Sequence, residues 1–295
     1  MKLDFALWKE RYGLNPHSLT QSAIDKIRVS SESERPLYVA LLRFLYALGV
    51  AKAERLDAEA KATLIKLGDA SAVAPNPLRL RDEAETLLAE LGQDGNKPLN
   101  DWEIKGFRLA SLLAQLPLDT SALELILDAA TLLSRASNVP ADCAYALLFH
   151  IYEQTKNPAT KRAFASVEPD FWENYLAIVL KTMGRFLRDA AMEYIYYYEL
   201  PLGSSDEAHL KRCEALCKVA VECCYLAHKA SGMVESELDK KIYQFCSDAI
   251  LNKDPKPLVI YAYRLLDLSS EDFFIALPKE TLNKYIASAI EALND

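Results

Sequence analysis

The chain has 295 residues, 51% hydrophobic and 26% charged, a composition that excludes a disordered polymer. It holds only 9 glycines, about 3% against a usual ~7%, too few for a turn-rich all-β fold. Net charge is −8, with 14 basic and 14 acidic residues in 1–100, 9 and 13 in 101–200, and 11 and 15 in 201–295, so no segment carries the broad positive excess of a nucleic-acid binder.

Taken in chain order, the dominant period is helical. The opening MKLDFALWKERYG carries acids and no apolar stretch of signal-peptide type, so a cytoplasmic chain with reduced cysteines is expected. Trp8 and Tyr12, four apart, read as a packing pair on a first helix. Leu37, Leu41, Phe44, Leu45 and Leu48 follow a 3–4 spacing up to Gly49, and Leu56, Leu64 and Leu67 lead to Gly68. Pro77 opens a helix with Leu80, Ala84, Leu87, Leu88 and Leu91 on one face and Gly92 as its stop. The run from Gly92 to Pro98, with its Asp94-Gly95 turn, is the strongest linker signal and places an expected boundary between helical units 1–98 and 99–295, with one continuous domain as the alternative. Asn100 or Asp101 caps the next helix, and Thr120 or Ser121 the one after it.

Pro140 begins a further helix. Pro169 begins the longest pattern, which runs to about Glu199 and is interrupted by Gly184. Ser204 and Glu207 form a capping box, and further helices are expected at about 234–252, 256–268 and 278–293. Leu258 to Tyr263 has strand-like residues, but Leu265, Leu266 and Leu268 continue it as a buried helix. The expected fold is all-α, either an irregular helical bundle or a degenerate helical-hairpin array of about 12–15 helices. No apolar run approaches the ~20 residues of a membrane span.

The chain contains no GxxxxGK[ST] loop, GxGxxG turn, HExxH, CxxC, ExxH or GxSxG elbow. Asp206-Glu207-Ala208-His209 matches a helicase box. It follows a Pro-Leu-Gly-Ser-Ser turn rather than a strand, and acids suit the first turn of a helix in any case. His150 and Glu153 form an isolated HxxE. Cys213, Cys217, Cys224 and His228 fall in a stripe about 60° wide, but its ends lie ~22 Å apart along a helix, too far for one metal. Two i,i+4 pairs remain, Cys213 with Cys217 and Cys224 with His228, each needing ligands from elsewhere. The favoured reading is a seam of small residues, Cys213, Cys217, Ala220, Cys224 and Ala227, that lets a neighbouring helix approach closely. No metal and no cofactor is therefore expected.

The most suggestive surface lies upstream. Lys181, Arg185 and Arg188 share one helical face, and Tyr194, Tyr197 and Tyr198 follow. Arginine and tyrosine are enriched where proteins meet, so these six are the expected partner-binding residues. The expected function is a non-enzymatic cytoplasmic adaptor, inhibitor or regulatory subunit that presents a helical surface to a protein partner. The runner-up is an enzyme or small-ligand protein with a motif-free site in its helical core, followed by a nucleic-acid binder using the Lys181–Arg188 face.

Overall fold

In the computed structural model the described residues are 16–47, 54–69, 75–93, 99–136, 139–168 and 170–198, with seven further positions between 213 and 226. This part is 85% helical, with 9 α-helices and no strand. The protein is an all-α helical bundle. In order the helices are α1 Pro16–Val29, α2 Arg35–Ala47, α3 Glu54–Lys66, α4 Pro77–Gln93, α5 Leu99–Leu113, α6 Thr120–Arg135, α7 Ala141–Thr155, α8 Lys161–Ala165 and α9 Asp170–Tyr198, with a 3₁₀ turn at Pro158–Thr160 before α8. Among the described residues no helix is long and apolar enough to cross a membrane.

The chain divides into two compact units inside α9, between Ile178 and Val179. The expected boundary at residue 98 falls within the first of them. There α4 and α5 pack on each other, and Lys105 Nζ of α5 lies 2.9 Å from Glu90 Oε2 of α4. A Gly- and Pro-rich segment marks a connection between helices, whether or not they share one core. Residues 94–98 themselves lie outside the described residues.

In the first unit, α1, α2 and α3 enclose a cluster of Ala23, Ile24, Ile27, Leu42, Ala60 and Leu64. The other side of α2 meets α5, where the Phe44 and Phe107 rings stand 5.1 Å apart. This two-sided burial is why Leu42 is enclosed although it lies off the stripe formed by Leu41, Phe44 and Leu45. The α2–α5 contact skips two helices, which a hairpin array touching only its neighbours would not give. An irregular bundle is the better description of this unit.

Local signals set the helix ends. The first helical residue of α6 is Thr120, and its cap is Asp119 rather than Thr120 or Ser121. Extended backbone at Asp119 lets its carboxylate accept from Ala122 N–H at 2.7 Å, where the helix dipole favours an anion. Gly92 does not stop α4, which continues to Gln93. Gly184 lies buried within a continuous α9.

Gly106 of α5 is a point of close approach. A β-carbon there would stand 2.5 Å from Val139 Cγ1, so only glycine fits beside the residue that leads into α7. Helix α7 is buried on nearly every side, from Ala141 to Leu148 and from His150 to Tyr152. The Tyr175 hydroxyl, at the start of α9, donates to the Leu148 carbonyl of α7 at 3.0 Å. Phe171 is buried beside Tyr175, and half-buried Trp172 stacks on Phe164 of α8 at 5.9 Å between ring centroids.

In the second unit the described residues are Val179 to Tyr198 of α9 together with Cys213, Leu216, Cys217, Val219, Ala220, Cys223 and Leu226. The last seven are helical and buried. At 100° per residue they cover about half the helix circumference, centred near Leu216. Cys213, Cys217 and Ala220 of the expected small-residue seam lie on this arc, and Cys223 joins them. Cys224, Ala227 and His228 lie outside the described residues, as do the Ser204–Glu207 cap, the helices expected beyond residue 234 and the Leu258–Tyr263 segment.

Candidate functional site

A cleft of ≈ 220 Å³ opens in the first unit where α2, the end of α3, the start of α4 and α5 converge. Its walls begin with a turn. Gly68 has φ +78°, and Gly68 N–H donates to the Ile65 carbonyl at 3.0 Å. Asp69 N–H donates to the Leu64 carbonyl, also at 3.0 Å. This pair of bonds is the Schellman ending of α3, and it turns Asp69 back toward α2. There the Asp69 carboxylate, 8% exposed, accepts from Arg43 Nε at 2.5 Å.

The opposite wall is the start of α4. The Asn76 side chain accepts from Leu78 N–H at 3.1 Å and so occupies a free amide of the first turn. Pro77 stands at the first helical position, where a missing N–H costs nothing. Arg79 follows in a first turn that contains no acid, so its charge is not matched at the helix end where anions are favoured. Glu83, four residues on, is the natural helical neighbour of Arg79, but Arg108 of α5 takes it in an ion pair. Arg81 is engaged elsewhere, by Glu85 at 3.3 Å and by Ser121.

Three guanidinium groups and two carboxylates therefore line the cleft, with a net charge of +1. Both carboxylates are held by Arg43 and Arg108, and the exposed Arg79 side chain has no ion pair among the described residues. Ser111 adds a hydroxyl whose proton is directed to the Arg108 carbonyl at 2.7 Å. An arginine side chain carries only donors and keeps its charge at any ordinary pH. The cleft is thus equipped to hold an anion, and among the described residues that line it no uncommitted acid or base stands ready for proton transfer.

The expected partner-binding residues lie elsewhere and do not form one exposed basic face. Arg185 is only 3% exposed. Lys181 and Arg188 are half-buried, and Arg188 closes on its neighbour Asp189 at 2.8 and 3.0 Å. Thr182, about 60° round the helix from Arg185, and Ala191, about 60° from Arg188, are both fully buried, so burial reaches the edges of the basic stripe as well as Arg185 itself. The side chains of Tyr194, Tyr197 and Tyr198 lie outside the described residues.

His150 is buried in α7, 4% exposed, and both ring nitrogens lack a hydrogen-bond partner among the described residues. Burial pushes its imidazole down to about 4. Glu153 of the same HxxE is engaged by Lys156 at 2.7 Å. Cys143, Cys213, Cys217 and Cys223 are buried thiols, and among the described residues no group of three or more His, Cys, Asp or Glu is placed to hold a metal ion.

Sequence spacing does not reveal the cleft, because Arg43 and Asp69 are 26 residues apart and Glu83 and Arg108 are 25 apart. One local signal was present: two arginines and no acid in the opening of α4, against the usual preference of helix starts. Comparison of the chain with protein-family models, with curated proteins and with solved structures finds no match.

Proposed function

We propose that the protein is a non-enzymatic cytoplasmic binding protein, an adaptor, inhibitor or regulatory subunit, that engages a protein partner through the cleft between α2, α3, α4 and α5. The observation that carries this reading is Arg79: an exposed guanidinium on a concave wall, with its natural partner Glu83 drawn away by Arg108. A fixed cation of this kind binds and orients an anion but cannot act as acid or base. The buried thiols fit a reducing compartment.

The test is quantitative capture of partners from the native cell by the full chain and by Arg79→Glu, compared at equal bait. Arg79 is exposed, so its reversal leaves the core untouched. The expected result is a stoichiometric protein partner recovered with wild type and lost with Arg79→Glu. Equal recovery by both chains removes the cleft from the binding surface.

A further inference from the structure

We infer that the cleft takes one carboxylate side chain of a partner segment, an aspartate or glutamate flanked by aliphatic residues; this rests on the binding reading above. The charge of the cleft sets the first part of the inference. Its net +1 is cancelled by one carboxylate, whereas a dianionic phosphoryl group would leave the site negative. The donor supply agrees with this. Asn76 occupies the Leu78 amide at the start of α4, while Asp69 and Glu83 already draw on Arg43 and Arg108. Arg43 and Arg108 are each neutralised by a carboxylate, through Nε and one Nη respectively, so the guanidinium of the cleft without an ion pair among the described residues is Arg79's, whose two parallel N–H groups match a carboxylate.

The size of the cleft sets the second part. At ≈ 220 Å³ it is smaller than the roughly 300–1,000 Å³ of sites that enclose whole small molecules. It suits a side-chain head group with its backbone left outside.

The aliphatic flanks follow from the surroundings. Leu78, beside Arg79 in the chain, is 75% exposed, and Leu67, beside Gly68, is 39% exposed. Neither lines the cleft, but each adjoins a lining residue in the chain, so the two offer exposed apolar area near it to the residues that flank a bound carboxylate. The net charge of −8 supplies the contrast: an acidic segment is repelled by the chain as a whole and attracted at this cleft, which favours correct docking.

The experiment is selection of a displayed random-peptide library on the full-length protein, with Arg79→Glu as the parallel target. The expected result is enrichment of peptides with Asp or Glu next to Leu, Ile or Val on wild type and loss of that pattern on Arg79→Glu. A selected peptide is then synthesised in three forms, with its acid kept, changed to amide, or replaced by phosphoserine. The amide form is expected to bind at least about tenfold more weakly, the value of one charge-assisted hydrogen bond. Leu78→Ser is expected to weaken the acidic form about threefold or more while leaving the dependence on Arg79 intact. Tenfold tighter binding of the phosphoserine form overturns the carboxylate assignment. Peptides that depend on Arg79 but lack an acid overturn the inference and leave the binding reading standing. Enrichment that is identical on both targets overturns both.

Discussion

Gly106 and Val139 show how tightly single positions are set in the first unit. Alanine is usually better than glycine inside a helix by ~1 kcal/mol. Here the added methyl meets the stiff, branched Val139 side chain at 2.5 Å, and overpacking of this kind costs about 1–3 kcal/mol. Gly106→Ala is therefore expected to lower the urea midpoint. Gly106→Ala with Val139→Ala is expected to lose less than the two single changes added together, and strict additivity would show that the two side chains do not meet.

His150 makes a pH-dependent contribution of definite sign. Near pH 7 the imidazole is neutral in both the folded and the unfolded chain, so it adds nothing. Below its ordinary value of 6.5 the unfolded chain takes up a proton, while the buried ring resists until about 4. Stability therefore falls between these limits, by about 2 kcal/mol at pH 5. Denaturation at pH 7 and pH 5 is expected to show this loss in wild type and not in His150→Leu. Equal pH dependence of the two proteins would place the imidazole in contact with solvent or with a partner group.

The helices themselves were largely legible in the sequence. The 3–4 spacing of apolar residues gives α2, α3, α4, α6 and α9 nearly in full, because each buries an apolar stripe against its neighbours, while the second buried side of α2, with Leu42, lies outside that pattern. Helix α8 and its 3₁₀ turn carry too few residues to show a period. The end of α3 is the element on which the cleft depends. Gly68 holds a positive φ that alanine adopts at a cost of about 1–2 kcal/mol, so Gly68→Ala is expected to destabilise the protein by that amount. The same change disturbs the turn that carries Asp69 to Arg43, so peptide binding is expected to weaken along with the melting temperature. Asp119→Ala at the start of α6 is expected to cost about 1 kcal/mol through loss of the cap, with peptide affinity unchanged. If Gly68→Ala and Asp119→Ala weaken binding equally, the turn has no special link to the site.

At the level of the whole chain, fold class could be read from composition, but tertiary convergence could not. Low glycine and helical periodicity give an all-α bundle without reference to any contact. The α2–α5 contact brings Arg43, Asp69, Glu83 and Arg108 to one place, and no local pattern encodes it. The Lys181–Arg188 segment illustrates the converse. Its cations share a helical face, yet Arg185 is buried, because spacing within a helix fixes which residues share a side and not what covers that side.

The most direct measurement is a charge exchange between the cleft and a selected acidic peptide, read by titration at fixed ionic strength. Arg79→Glu alone, or glutamate changed to lysine in the peptide alone, is expected to weaken binding at least about tenfold, and the two together to restore much of it. Undiminished binding of the original peptide by Arg79→Glu would contradict the assignment of this cleft as the partner site.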